Sequence, residues 1–531
     1  MDEPLLKVLE DEIRRAKRRI VRIRDNGVEI VYKPTFISAT HKKIKSYENT
    51  NNGTDLEKSG NYCVTRKDGV IITIGVGDTN GDGTNNGEVF LAKAFKLSQL
   101  KSDNLSSIEE KIKESLQNVF LKAVVQYRET VSSQIDGKKK NAFSTPSKEE
   151  CNECLEDLVD PEVDVEKANA ILKKIIAELK KIPNIKEPWT EYRAVLENRR
   201  YVDTEGNKIT ESNFAGKYII GAKGIKTRDG RIIDEYCEIY TFNNPEEMLL
   251  EEKIAEVLER VKKRINEIIE SKPVEAGVYQ CIFDAEAACT LIHEAFASHL
   301  LTGEWAESSG RSLKLGQRIL NYPLNVCMDP TINGFGSFKF DEEGIKARRI
   351  ELIKNGKIAG YLHNRITAGR NSTKSSGHMR NESFEPGEPR ESNLFIDSQE
   401  AITDKELWTK FLENLKQTNQ KGIYVAGGDG EVDEDGFFVM TGGLLYEVNQ
   451  NGDMIPVSSA YIRCDVSDIA NNILGIGESK THTSFCGSES GIVPVQETGP
   501  SMLINNVKIF EEKKNITAGA EVEEERDTDV A

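Results

Sequence analysis

Residues 284–299 read DAEAACTLIHEAFASH, and this stretch says more about the fold and its chemistry than any other part of the chain. Asp284 can cap a helix that runs from Ala285 to about Ala297, because an aspartate side chain accepts hydrogen bonds from the first free backbone N–H groups of a helix. The predicted helix carries an adjacent His-Glu pair. An imidazole beside a carboxylate, with a thiolate elsewhere in the chain, can make a zinc site with a general base.

The spacing of the two histidines in this stretch is irregular. In the common H-E-x-x-H arrangement the histidines are four residues apart and face one metal. His293 and His299 are six residues apart, which places them roughly 120° apart on a regular helix of about 3.6 residues per turn. A bulge in the helix, or a helix that ends near Ser298, would let His299 approach the same metal. Cys486 is the candidate thiolate, and Glu294 is the candidate base.

Length and composition set the frame around this site. A chain of 531 residues is too long for one ordinary core, so two or three cooperating units are expected. Hydrophobic residues make up 38% of the chain and charged residues 30%, as in a soluble globular protein. The formal charge of −17 argues against nucleic acid as the main partner.

The cysteines and the first residues indicate a cytoplasmic protein. The nine cysteines are scattered and odd in number, which favours reduced thiols over disulfides. Residues 1–20 form a charged amphipathic pattern without the apolar segment of a signal peptide, and no later run approaches the roughly 20 apolar residues that span a bilayer. We therefore expect a cytoplasmic location and no membrane partner.

The pattern of elements predicts an α+β protein of two domains. Residues 1–272 are predicted to form an α/β domain with long helices and an antiparallel sheet, and residues 273–510 a β-rich domain that carries the metal-site helix. The acidic segment 511–531 lacks periodicity and is predicted to be disordered. The predicted helices span 3–20, 89–97, 106–133, 165–181, 246–271, 404–417 and 465–474; the predicted strands span 27–33, 70–76, 192–198, 218–226 and 232–242, with hairpins at 349–362 and 446–457.

Several separate blocks of the second half, in order, resemble the TldD/PmbA peptidase family, formerly called modulators of DNA gyrase, and most of all its TldD-like metallopeptidase branch. The blocks are Leu291–Phe296, Asp329–Thr331, Gly334–Ser337, Phe340–Gly344, Gly360–Arg365, Gly377–Arg380, Ser392–Asn393, Asp429–Asp433, Phe485–Gly487 and Val493–Val495. The first half is similar to the family mainly in outline, with a matching block at Tyr201–Gly206.

The resemblance implies a two-domain zinc peptidase that acts on unfolded or extended peptides. It implies that His293 and Cys486 bind zinc and that Glu294 is the general base that takes a proton from the zinc-activated water. Family members commonly work as homo- or heterodimers in which one subunit carries the metal and a related, PmbA-like subunit does not. The alternative function is therefore an impaired PmbA-like subunit that binds peptide or supports an active partner.

The second histidine is where the chain departs from the family motif H-E-x-x-x-H. A gapless alignment puts Ser298 at its place, and a one-residue insertion restores His299 to it. We favour the insertion, because the residues after His299 are similar to those that follow the family's second histidine. His363 and His378 lie in matching blocks and are possible substitute ligands.

Two further motifs carry weaker expectations. Asp78–Glu88 resembles a calcium loop, but its glutamate comes one residue early and a strand precedes it, so a solvated loop is the default interpretation. Gly427-Gly428 and Gly442-Gly443 either form turns or let an extended substrate add as a strand to a sheet edge.

Overall fold

The computed structural model describes residues 4–25, 28–51, 63–79, 85–96, 104–135, 146–298, 302–303, 313–433 and 435–511. Two large sheets organise these residues, one of eight strands and one of fourteen, with helices packed against each. The predicted α+β class is confirmed. The predicted domain boundary near Lys272 stays a prediction, although the second large sheet begins at that residue.

The first sheet is antiparallel apart from one short parallel pair, and its central path runs β4-β3-β2-β6-β7-β5. Its strands are β1 (Val21–Asp25), β2 (Val28–Asn51), β3 (Cys63–Thr79), β4 (Asn85–Lys96), β5 (Glu153–Leu155), β6 (Glu187–Asp203), β7 (Lys208–Lys226) and β8 (Ile232–Phe242). Five helices accompany this sheet: α1 (Pro4–Ala16), α2 (Leu105–Ile135), α3 (Val165–Leu179), α4 (Pro245–Met248) and α5 (Glu251–Glu270).

Two predictions for the first sheet were wrong. The strand predicted at 27–33 ends too early, because β2 continues through the polar residues that follow to Asn51. Buried Lys42 on this strand is paired with Glu197 at 3.2 Å and Glu342 at 2.8 Å, so its charge is compensated inside the protein. The predicted helix at 89–97 lies mostly in β4, since a short apolar run fits a strand as well as a helix.

The two ends of the calcium-like segment Asp78–Glu88 belong to strands β3 and β4. Asp78 and Thr79 end β3, and Asn85 begins β4, which pairs with β3 in antiparallel fashion. The middle of the motif, 80–84, lies outside the described residues, so the calcium interpretation stays open.

The second sheet carries three of the family-like blocks on its strands β18, β23 and β24. Its strands are β9 (Lys272–Pro273), β10 (Gly277–Phe283), β11 (Asn325–Met328), β12 (Ile350–Lys354), β13 (Lys357–Ile358), β16 (Asn393–Asp397), β17 (Gly422–Ala426), β18 (Asp429–Val432), β19 (Phe437–Thr441), β20 (Leu444–Val448), β21 (Met454–Ser458), β22 (Ala460–Asp465), β23 (Ile473–Ser488) and β24 (Gly491–Glu511), while β14 (Met379–Arg380) and β15 (Glu388–Pro389) form a separate pair. Both predicted hairpins are present, as β12–β13 and β20–β21. Residues 512–531 of the predicted tail lie outside the described part of the chain.

The long strand β24 and its neighbours position the metal-site helix. β10 lies between β24 and the parallel strand β17, and α6 (Ala285–Ile292) follows β10 directly. The apolar side of α6 belongs to a buried core that includes Phe283, Leu291 and Phe296. The described residues of this half form three further helices: α7 (Arg365–Arg370), α8 (Asp404–Thr418) and α9 (Val466–Asn471). None of the described helices is both long enough and apolar enough to span a bilayer.

Candidate metal centre

The helix that carries the His-Glu pair changes its winding at the histidine. Asp284 caps α6 by accepting a hydrogen bond from the Ala287 backbone N–H at 2.8 Å, as the sequence predicts. From His293 to Ser298 the backbone is a π-helix, whose hydrogen bonds run from residue i to residue i+5. The Ser298 hydroxyl accordingly donates to the His293 carbonyl at 3.0 Å. The helix is therefore irregular at this point, and it brings Ser298, five residues after His293, back towards that residue.

The His293 ring is buried and held by a chain of two further side chains. Its Nδ1 is hydrogen-bonded to the Glu497 carboxylate, whose other oxygen lies 2.6 Å from His482 Nε2. A carboxylate on one ring nitrogen fixes the tautomer and the orientation of an imidazole. Nε2 of His293 is thereby presented as the ligand atom.

Three ligand atoms converge at that nitrogen. Cys486 Sγ lies 3.3 Å from His293 Nε2, and Glu391 Oε2 lies 3.5 Å from the sulfur and 4.0 Å from Nε2. Zinc bonds of about 2.0–2.3 Å at tetrahedral angles separate pairs of ligand atoms by about 3.3–3.6 Å. The nitrogen–sulfur and sulfur–oxygen distances match this range, whereas the nitrogen–oxygen distance of 4.0 Å is longer. The imidazole and thiolate therefore fit a zinc ion, and the carboxylate lies slightly farther out.

The charges around the cluster favour a cation. Burial alone would raise the pKa of Glu391, but the positive charges of His293 and Arg390 outweigh burial and lower that pKa to about 2. Burial would lower the pKa of His293, yet the Cys486 sulfur and the Glu497 carboxylate hold it well above its ordinary value. Surroundings that stabilise a proton on this imidazole also stabilise a metal ion, and the two compete for the same nitrogen.

Glu294 lies at the rim of the cluster. Its Oε1 is 3.7 Å from His293 Nε2, and its side chain is 19% exposed. Strand β18 passes close by, because a Cβ added at Gly430 would lie 3.2 Å from Glu294 Cγ and 2.7 Å from Thr290 Cγ2. The absence of a side chain at Gly430 therefore lets β18 lie against the helix that carries the candidate base.

The structure brings together two of the three predicted ligands. His293 and Cys486 are adjacent, whereas His299 lies outside the described residues. Glu391 and Glu497 were not singled out from the sequence. Glu391 lies beside the predicted block Ser392–Asn393, but a lone glutamate carries no motif that marks it as a ligand.

The two substitute ligands lie apart from the cluster. His378 is buried with Nδ1 2.8 Å from the Ser376 carbonyl and Nε2 3.3 Å from the Ser392 hydroxyl, and burial lowers its pKa to about 4. His363 Nδ1 lies 3.1 Å from the Thr367 hydroxyl. Among the described residues the group that could hold a metal ion contains His293, Glu391 and Cys486, and neither of these histidines.

Glu497→Gln tests whether the buried carboxylate orients His293. We expect zinc affinity to fall by about 10- to 100-fold, because the amide no longer holds the ring in one tautomer. Zinc titration with a competing chelator measures the change. Glu447→Gln is the control, since Glu447 is also largely buried but pairs with Lys272 at 2.7 Å. Equal zinc affinity in the parent and in Glu497→Gln would contradict this role.

The second half of the chain matches a described protein family. Residues 276–511 match the model of the PmbA/TldA metallopeptidase C-terminal domain. The match includes every residue of the metal-binding group and the Glu294 beside it. The family assignment therefore covers the region in which the candidate metal centre lies.

Named relatives agree with this match. The chain is 30% identical over 245 residues to a metalloprotease of Methanocaldococcus jannaschii. These aligned residues are 45% of this chain and 52% of that protein. The chain is 22% identical over 340 residues to a zinc metalloprotease TldD homolog of Saccharolobus solfataricus. The aligned residues are 62% of this chain and 72% of the relative. The matched region spans 57%, 52% and 58% of the length of the metalloproteases of Methanothermobacter thermautotrophicus, Methanocaldococcus jannaschii and Archaeoglobus fulgidus.

A solved structure extends the likeness to the whole fold. A putative modulator of DNA gyrase from Thermotoga maritima superposes with a TM-score of 0.66 at 16% identity, over 95% of this chain and 99% of that one. At this identity the likeness shows the fold alone. Taken with the matched domain and the named relatives, it confirms the resemblance found in the sequence: residues 276–511 are a PmbA/TldA metallopeptidase C-terminal domain.

Proposed function

We propose that the chain is a zinc-dependent peptidase that cleaves unstructured or extended peptides. The observation that carries this proposal is the convergence of His293 Nε2, Cys486 Sγ and Glu391 Oε2 beside Glu294. A nitrogen and thiolate donor set favours zinc over magnesium or calcium, which prefer oxygen ligands. The zinc metalloprotease named among the relatives supports the same metal.

His293 and Cys486 would hold the zinc, and Glu391 is the third ligand that the described residues supply. When bound, zinc supplies Lewis-acid polarisation of the peptide carbonyl and of the attacking water. Glu294 takes the proton of that water and later gives it to the leaving amine. Glu497 and His482 keep the His293 ring in place throughout.

Strand β18 offers a place for an extended substrate. β18 pairs with β19 alone among the described strands, so one edge of it carries no strand partner. Because β18 lies against the helix of Glu294, a peptide added at this edge would pass the candidate base. Main-chain hydrogen bonds would hold such a peptide with little regard to its sequence.

The two glycine pairs beside β18 make turns. Gly427 and Gly428 have positive φ values of 62° and 128°, in the region that favours glycine. A Cβ added at Gly443 would lie 2.5 Å from the Gly427 carbonyl oxygen. These glycines let their own two backbone segments approach each other, and not a substrate. We therefore place the substrate at the free edge of β18.

Ser298 supports the alternative function, an impaired PmbA-like subunit. The family motif places its second histidine five residues after the first, and Ser298 is the residue at that position in the π-helix. After the charges of His293 and Arg390, Ser298 also helps to lower the pKa of Glu391, so the serine lies near a candidate ligand. In this alternative the chain binds peptide or supports an active partner in a homo- or heterodimer.

Variants at Ser298 and His299 distinguish the two functions. If His299 is a ligand, His299→Ala should lose both zinc and peptidase activity, while Ser298→Ala stays close to the parent. If Ser298 stands at the place of a lost ligand, the parent should bind zinc weakly and Ser298→His should bind it more tightly. Zinc content and cleavage of an unstructured peptide are measured on the same samples.

One result would contradict both versions of the second histidine. A parent that binds zinc tightly and cleaves peptide, and that keeps both properties in His299→Ala and Ser298→Ala, needs neither residue as a ligand. Glu391 would then be the third protein ligand. Glu391→Gln should in that case lose zinc, which the same measurement checks.

A further inference from the structure

A cavity of about 340 Å³ lies beside the metal centre, between the first sheet and the β23–β24 hairpin. Phe485 lines this cavity and immediately precedes the candidate ligand Cys486. Phe335 packs edge-on against Phe485 with ring centroids 5.2 Å apart, and Phe338 also lines the cavity. The cavity therefore has an aromatic wall next to the metal-binding strand.

Most charges that line the cavity are already compensated. Arg199 lies 2.8 Å from Glu211 and 3.4 Å from Glu342, and Arg193 is paired with Glu382. The Arg199–Glu342 and Arg193–Glu382 pairs fix the two walls of the cavity to each other, because they join the first sheet to loops of the second half. They leave little free charge for a ligand.

Lys217 and Arg380 are the exceptions. The Lys217 ammonium lies 5.1 Å from the centroid of Phe485, and the Arg380 guanidinium lies 4.9 Å from that of Phe338. Within the described part of the chain, no carboxylate oxygen lies within 4.0 Å of either cation. Burial lowers the pKa of Lys217 and lowers that of Arg380 to about 10, as expected for cations removed from water without a carboxylate partner.

The two cations flank one point of the hairpin. Arg380 uses Nη1 to donate to the carbonyls of Glu391 at 2.5 Å and Pro494 at 2.9 Å, which leaves its Nη2 and Nε without a partner among the described residues. Pro494 is the cross-strand partner of Phe485, over whose ring Lys217 lies. A ligand in the cavity therefore meets both cations beside the aromatic wall.

We propose that this cavity binds a carboxylate of the peptide substrate between Lys217 and Arg380. The inference rests on the proposed function and adds a substrate preference to it. A guanidinium and an ammonium with free N–H donors are the groups that recognise a carboxylate, and the aromatic wall suits an apolar side chain next to it. The carboxylate comes from the C-terminus of the peptide or from an acidic side chain.

Binding to the full-length Glu294→Gln protein tests this without turnover. Three dye-labelled, unstructured peptides of otherwise uncharged sequence are compared by fluorescence anisotropy: one with a free C-terminal carboxylate, one with a C-terminal amide, and one with the amide and an internal glutamate. We expect at least one carboxylate peptide to bind more tightly than the plain amide. Lys217→Gln should weaken the binding of that peptide by about 10- to 100-fold and leave the plain amide unchanged.

Lys223→Gln is a matched control on the same strand. Lys223 lies 5.1 Å from the Trp189 ring centroid, the same distance as Lys217 from Phe485, but it does not line the cavity. Its replacement should leave all three affinities unchanged. Tighter binding of the free C-terminus identifies that carboxylate as the ligand, and tighter binding of the glutamate peptide identifies a side chain.

Three results would overturn the inference: equal affinity for all three peptides, no binding of any of them, or equal losses for the acid and amide peptides in Lys217→Gln. Failure of the proposed function looks different. In that case the carboxylate peptide binds and depends on Lys217, but the parent protein with zinc does not cleave it.

Discussion

Replacing Glu294 by glutamine should leave zinc bound and lower the rate of peptide cleavage by about 10²- to 10⁴-fold. The amide has nearly the same shape as the carboxylate, so the helix and the ligand His293 stay in place. It cannot accept the proton of the attacking water or pass a proton to the leaving amine. The measurement is the turnover of an unstructured peptide, together with the zinc content of the same sample.

A control separates this effect from a general loss of structure. Glu413→Gln makes the same change on an exposed face of α8, away from the metal centre, and should keep the parental rate. If Glu294→Gln turned over peptide at nearly the parental rate, Glu294 would have no part in the reaction. If it lost zinc as well as activity, its role would be in metal binding.

Replacing Cys486 by serine should lower zinc affinity by more than about 100-fold. Removing a hydrogen-bond partner of a ligand, as in Glu497→Gln, lowers zinc affinity by roughly 10- to 100-fold, and Cys486→Ser removes a ligand itself. A hydroxyl is a far poorer zinc ligand than a thiolate, and Cys486 Sγ lies 3.3 Å from the imidazole with which it would share the metal. Cys154→Ser is the matched control, because Cys154 is also a partly exposed free thiol. Unchanged zinc content in Cys486→Ser would return Cys486 to a purely structural role.

The sequence predicted the centre of this site through one local pattern and one family likeness. A capped helix with an adjacent His-Glu pair can be read from neighbouring residues, and the helix begins at Ala285 as predicted. Cys486 is one of nine scattered cysteines, and the resemblance of its block to the family supports it as a metal ligand. Its contact with His293 joins strand β23 to a helix 193 residues earlier in the chain.

The carboxylates around His293 could not be predicted in this way. Glu497 lies 204 residues from His293, and Glu391 reaches the cluster from the other side of the hairpin. The chain contains 88 acidic residues, so a single glutamate without a spacing pattern does not stand out. The topology of β24, which pairs with both β23 and β10, is what brings these groups together.

The secondary structure was predicted best where the polar residues of a segment are also its exposed residues. Amphipathic helices such as α3 and α5 and the Asn-Gly hairpin at β12–β13 follow from local patterns. Strand β2 does not, because two of its lysines, Lys42 and Lys45, are polar in sequence and buried in the structure. Lys42 is fully buried only because Glu197 and Glu342 arrive from distant parts of the chain.

The zinc content of the parent protein tests the central claim most directly. The chain is purified without a metal-affinity tag, and metal per chain is measured by mass spectrometry. The cluster of His293, Cys486 and Glu391 predicts about one zinc per chain, removable by a chelator and restored by added zinc. A chain that neither contains zinc nor takes it up would contradict the account.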